Sequence, residues 1–252
     1  MQRLYKPVIV RKEIDDSHYY FVNDVYVPGV TTILHETLPT PAALRKWIGD
    51  VGNEKAQEKL ESAGERGSKI HDACERLLKG ESINLWKEFP AYTDKKCIIA
   101  FIDWANKFKP VITDHKFIEF TLASEYGYAG TMDLFCYIND EPWIVDFKTS
   151  TGVYDSFKLQ LAAYRQAFYE MTGIMANMGI LHLNFRTKQG WTFVDEMKIG
   201  GKEVEIEDFL KVMEMYKMLN GGEIKPPKLK EVFPEIVSLY KQGGEKENES
   251  TT

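Results

Sequence analysis

The order of elements legible in the chain predicts an α/β or α+β fold built around one central β-sheet. Three observations carry this expectation. A helical region at about 40–110 precedes three strand-like runs in a meander. A single helix-like segment and two further strands follow that meander. The third run of the meander, "PWIVDFK", is apolar until it ends in an acid and a base two residues apart.

Residues 19–22 and 25–27 read as strands flanking Asn23-Asp24, a hairpin signal. Thr40 with Pro41 marks a helix start, because proline is preformed for the first helical position. Helical spacing then runs in pieces to Gly80, with breaks expected at Gly52, Gly64 and Gly67. Residues 95–107 form the next helix, which must stop before Pro110. Strands are expected at 116–123, 128–138 and 142–148, with Asn139-Asp140 as a tight turn between the last two. A helix over 155–171, strands over 178–184 and 191–196, and a helix over 206–219 ended by Gly221 complete the pattern. The whole reads as one domain over 1–242, with a sheet core at about 112–200, and the polar 243–252 reads as a disordered tail.

Composition excludes several classes. The 252 residues contain no run of about 18 apolar residues, so no membrane helix is expected. The start, MQRLYKPVIVRKEIDD, does not read as a signal peptide, since its apolar stretch is short and flanked by charge. Glu13, Asp15 and Asp16 argue against a transit peptide. The three cysteines, Cys74, Cys97 and Cys136, form no CxxC pair, which points to reduced thiols in a cytoplasm. A net charge of −6 does not suit a passive nucleic-acid coat, but it allows an enzyme that binds metal through carboxylates.

The chain has three Asp-x-Lys triplets: Asp94–Lys96, Asp114–Lys116 and Asp146–Lys148. Asp94 falls at a helix start and Asp114 in a polar stretch, and both are expected to be plain surface residues. Only Asp146 follows an unbroken apolar strand. Alternation puts Asp146 and Lys148 on one face and Val145 and Phe147 on the other. Asp133 lies six residues before Asn139, and Asp146 six after Asp140, so antiparallel pairing sets the two carboxylates opposite each other. Facing carboxylates repel unless a cation lies between them. Either a hard divalent ion or Lys148 meets that need. His71 borders the apolar stripe of Ile70, Cys74, Leu77 and Leu78 and faces the core margin. Gln160 and Tyr164, four apart, share one face of the helix after the triplet.

Together these residues resemble the RecB-like branch of the PD-(D/E)xK nuclease superfamily. Gly67 to His71 matches G-x-x-x-H; Glu125 with "AGTMD", ending at Asp133, matches E…G-x-x-D; "VDFKTS" matches D-x-K; Gln160 and Tyr164 match Q-x-x-x-Y. The proline of the superfamily name is replaced by Met132, as is usual in this branch. The "VPGVTTIL" and "ERGSKIHDACERLL" blocks are similar to phage exonucleases of the branch and to mitochondrial genome maintenance exonucleases. The resemblance implies a restriction-endonuclease-like core with a central mixed sheet flanked by helices. It implies a DNA exonuclease dependent on Mg²⁺ or Mn²⁺, with one or two ions, acting on single-stranded or frayed ends in replication, recombination or repair. The iron–sulfur cluster of some relatives needs four cysteines, so none is expected here.

On this resemblance His71, Asp133, Asp146 and the Phe147 carbonyl would bind metal. Lys148 would act on the attacking water, Glu125 would coordinate through water, and Gln160 and Tyr164 would position Lys148 or the phosphate. Arg45, Lys46, Arg66, Lys69 and Lys158 are candidates to track a DNA backbone. Trp47, Tyr126 and Tyr128 are candidates to stack bases. A sequence-specific endonuclease on the same core and a DNA-binding protein with a decayed site are the competing readings. A bacterial or phage-infected cytoplasm is the expected setting, with DNA and no membrane as partner.

Overall fold

Two asparagine-aspartate turns set the strand pairing. The computed structural model describes residues 4–14 and 17–222. The N-terminal strands β1 (Ile9–Ile14), β2 (Ser17–Val22) and β3 (Val25–Val27) form an antiparallel sheet in that order. Asn23 and Asp24 turn the β2–β3 hairpin with φ of 49° and 66°, the left-handed pair a tight primed turn requires. Helices α1 (Val30–Thr37), α2 (Ala42–Val51), α3 (Asn53–Leu78), the short α4 (Leu85–Glu88) and α5 (Tyr92–Phe108) follow.

The central sheet has the order β4 (Ile118–Ser124), β5 (Tyr128–Ile138), β6 (Glu141–Lys148), β7 (Asn177–Leu183), β8 (Trp191–Val194). Its pairs are antiparallel except β6–β7, which is parallel and joined by α6 (Asp155–Thr172). The sheet is therefore mixed, and the fold is α/β. A small ribbon, Lys198–Ile199 with Lys202–Glu203, and α7 (Ile206–Leu219) close the described chain. One apolar cluster joins the sheet to α6, α1 and α7 through Leu161, Phe168, Ile33 and Phe209. The other joins it to α3 and α5 through Ile70, Cys74, Phe101 and Trp104. None of the described helices is long and apolar enough to cross a membrane.

Several expectations are corrected. α2 begins at Ala42 with Pro41 as its cap, one position later than the proline rule places it. The segment from Val30 to Thr37 is a helix with Val30, Ile33 and Leu34 buried, although its threonines gave no such signal. Gly52, at φ 90°, does separate two helices, but Gly64 and Gly67 sit inside a 26-residue α3. At Gly67 an added Cβ would lie 3.2 Å from Thr149 Oγ1, so the missing side chain lets α3 approach the end of β6. Asp94 is only 7% exposed, takes a hydrogen bond from Thr93 Oγ1 and lies 3.9 Å from Arg66 Nε. The expected boundary at 242 and the expected tail at 243–252 lie outside the described residues.

The sheet also breaks its own alternation at one place. The β4–β5 register runs Ile118↔Leu134, then Phe120↔Met132, leaving Glu119 and Asp133 between. Ile118 and Leu134 pack on the α5 side, whereas Phe120 and Met132 pack on the α6 side. Glu119 has φ 52°, a left-handed turn inside a strand, so both strands switch faces there.

Candidate metal centre

The turn chemistry that paired β5 with β6 also positions two acids. The β5–β6 register ends at Leu134↔Val145, and Asp133 and Asp146 are the next residues on the two strands. Asp133 Oδ2 accepts the Phe147 backbone N–H at 2.5 Å, which fixes its carboxylate across the strand gap. Its other oxygen lies 3.5 Å from His71 Nδ1. Val145 and Phe147 turn into the α5-side core, so Asp146 and Lys148 share the opposite face, as alternation predicts. Asp146 is 2% exposed and its Oδ2 lies 2.6 Å from Lys148 Nζ. That contact is a buried ion pair, which ties the Asp146 carboxylate to Lys148.

These groups line one cavity of about 630 Å³. Its walls come from β1, β2, α1, α3, β4, β5, β6 and α6. His71, Glu119 and Asp133 offer ligand atoms that all lie within 4.8 Å of one another, and this group could hold a metal ion. An imidazole and two carboxylates make a donor set suited to a hard divalent cation, and the Asp146 carboxylate lines the same cavity.

The titration shifts follow from crowding. Burial pushes the Asp146 carboxyl up to about 6, with the neighbouring Asp133 charge adding to it and Lys148 opposing it. Burial, then Asp133, raises Glu119 to about 7. For Asp133 burial also acts upward, but the His71 charge and hydrogen bond outweigh it and the net shift is down. For His71 burial acts downward, and the Asp133 carboxylate outweighs it, so the imidazolium is favoured. One cation brought into the cluster would relieve these competing demands together.

Gln160 and Tyr164 form the α6 wall, with Gln160 Nε2 donating to Tyr164 OH at 2.9 Å. Gly130 makes room for that wall, because a Cβ there would lie 2.5 Å from Tyr164 Cε1. Lys148 Nζ stands 4.8 Å over the Phe157 ring, one turn earlier on the same helix. The loop after Lys148 is tied by Arg66, which donates to Thr149 O at 3.2 Å, and by His182, whose Nε2 lies 2.8 Å from Ser150 O.

Not every expected residue arrives. Glu125 is exposed in the β4–β5 turn and does not line the cavity, and Glu119 supplies the acid there instead. Counting from the turn would have found it: Glu119 is six residues before Glu125, and Asp133 six after Gly127. Tyr128 is fully buried, donates to Ala163 O and is no stacking platform. Lys158 is bound to Asp155 Oδ1 and Lys198 O and does not line the cavity. Arg66 spends its guanidinium on Thr149 O and the Phe185 ring. Phe147 gives the core its side chain and Asp133 its N–H. Arg45 and Lys46 are exposed on α2, Trp47 is half-buried under Lys59, Lys69 lies over Phe89, and Tyr126 is exposed. None of these five lines the cavity. The hairpin residues Arg11, His18 and Tyr20 do line it, and no sequence signal marked them.

Neither a protein-family model nor a curated protein matches this chain. Among solved structures, the chain is similar to a candidate exonuclease from Eubacterium rectale, with a TM-score of 0.38 and 13% identity over 69% of this chain and 77% of that one. It is also similar to the protein SSO0001, with a TM-score of 0.30 and 13% identity over 54% of this chain and 64% of that one. Likeness at this level says nothing about chemistry, and the functional reading rests on the site.

Proposed function

We propose that this chain is a divalent-metal-dependent nuclease that hydrolyses DNA phosphodiester bonds, working as an exonuclease on single-stranded or frayed ends. The observation that carries the reading is the meeting of Asp133, Asp146, Lys148, His71 and Glu119 in one cavity. Their order along the chain is the motif order of RecB-like nucleases. The finer part, attack from ends in replication, recombination or repair, is supported by the N-terminal and α3 sequence blocks.

His71, Glu119 and Asp133 would hold the ion, with Asp146 and the Phe147 carbonyl completing its surroundings. Mg²⁺ or Mn²⁺ bound there supplies Lewis acidity and a more acidic water. Lys148, fixed against Asp146 and over Phe157, would orient the attacking water and stabilise charge growing on the phosphate oxygens. The Gln160–Tyr164 pair would hold Lys148 and the phosphate in register from the α6 side.

One assay tests this function. Linear single-stranded DNA and covalently closed single-stranded circles are incubated with Mg²⁺, Mn²⁺ or excess EDTA. Linear strands should fall to short products only with metal, while circles persist. Unchanged cleavage in EDTA sinks the metal chemistry. Circles consumed as fast as linear strands make the protein an endonuclease. Binding without cleavage in every metal makes it a DNA-binding protein with a decayed site.

A further inference from the structure

The geometry points to a phosphate-binding site on the N-terminal hairpin, in which Arg11 grips the DNA phosphate next to the one being cut. This rests on the nuclease reading and extends it to how the strand is held. The cavity is acidic, and among the described residues its permanent cations are Lys148 and Arg11. Lys148 is committed to Asp146. Among the described residues Arg11 has no carboxylate at hydrogen-bond distance: the nearest, Glu13 Oε2, is 4.0 Å away. Its guanidinium donates instead to uncharged groups, to Thr131 Oγ1 at 3.4 Å and to His18 Nε2 at 2.8 Å. These two contacts, one from each terminal nitrogen, use two of the five donors of a fork that is built for bidentate oxyanions.

The fork is also held in place. Arg11 stands opposite Tyr20 in the β1–β2 register, and Tyr20 OH lies 3.2 Å from the same Thr131 Oγ1. A backbone bond from Ala129 N to Pro28 O, at 3.1 Å, and a bridge between Gly29 and Ala129 fasten the hairpin to β5. Thr131 precedes Asp133 by two residues, so the arginine's anchor and the metal group are about 7 Å apart along one strand. A phosphodiester strand crossing the carboxylates would place its scissile phosphate at Asp133 and Asp146. Its neighbouring phosphate would then lie at Arg11.

The test reads binding without turnover. The full chain, Arg11→Ala and Arg11→Lys are titrated into a fluorescent single-stranded oligonucleotide in Ca²⁺ across a series of KCl concentrations, with anisotropy as the signal. Arg11→Ala should weaken binding by at least about tenfold, the scale of losing one charge-assisted contact. It should also flatten the dependence of log K on log salt by about 0.7. Arg11→Lys should keep the slope and recover only part of the affinity, because a point charge lacks the fork. Thermal melts check folding, and Arg11→Gln replaces Arg11→Ala if the latter unfolds. Binding within twofold of wild type, with an unchanged slope, in a folded Arg11→Ala overturns the inference and leaves the nuclease reading standing. A wild-type protein that binds no DNA overturns both.

Discussion

At the level of single residues, Asp146 and Lys148 occupy adjacent outward positions of one strand but have separable tasks. Asp146 is buried in the cavity wall beside the metal group, a position suited to a ligand. Lys148 is partly exposed to the cavity, a position suited to water and phosphate. Lys148→Ala should lower turnover by at least about 10²-fold while Mn²⁺ affinity and DNA binding change little. Asp146→Asn should abolish turnover by weakening the metal site. Calorimetric titration with Mn²⁺ distinguishes the two, with affinity lost only in Asp146→Asn. A strand-end ion pair without catalytic purpose would behave otherwise: both variants would lose a little thermal stability and keep most activity.

At the level of elements, β4 stores strain where it contributes an acid. A left-handed glutamate inside a strand costs on the order of 1–3 kcal/mol. Such a conformation persists only when its surroundings enforce it, and here it faces Asp133 and switches the packing side of both strands. Asparagine tolerates the left-handed region better than glutamate and carries no charge. Glu119→Asn should therefore melt at the wild-type temperature or slightly higher in metal-free buffer, yet bind Mn²⁺ more weakly. A lower melting temperature with unchanged Mn²⁺ affinity would make Glu119 a packing residue and remove it from the metal group.

At the level of the whole molecule, the cluster couples stability to pH. Glu119 is raised to about 7 and Asp146 to about 6, both first by burial. An acid with a raised folded pKa holds its proton better when folded, so it favours the native state at low pH. That contribution is lost as pH climbs from the ordinary carboxylate range, about 4, through the folded values. His71, raised by Asp133, also stabilises the fold below its folded pKa and loses that effect as pH rises. Asp133 is lowered, and its opposite contribution is lost only on acidification through its own depressed value. Metal-free protein should accordingly melt lower at pH 8 than at pH 5.5. Mn²⁺ should raise the melting temperature more at pH 8, since it binds the deprotonated groups. Thermal melts at the two pH values, with and without Mn²⁺, check both signs, and a metal increment larger at pH 5.5 would refute the carboxylate cluster as the binding site.

What the amino-acid order determined by itself was local. The Asn139-Asp140 turn and period-two alternation place Asp133 against Asp146 and put Lys148 beside it, since a two-residue turn fixes register within one hairpin. The same periodicities locate β5, β6, α6 and α7 nearly to the residue. What the tertiary structure decided was which distant groups meet there. His71 comes from a helix that α4 and α5 separate from the sheet along the chain, Arg11 and Tyr20 from a separate hairpin, and Glu119, rather than Glu125, from a strand bent at one residue. Tyr128, a stacking candidate by composition, goes to the core because its strand lies under α6 and α7. Periodicity reports which way a side chain faces. Only the docking of helices and hairpin on the sheet supplies what it faces, because those contacts span long stretches of chain and leave no local pattern.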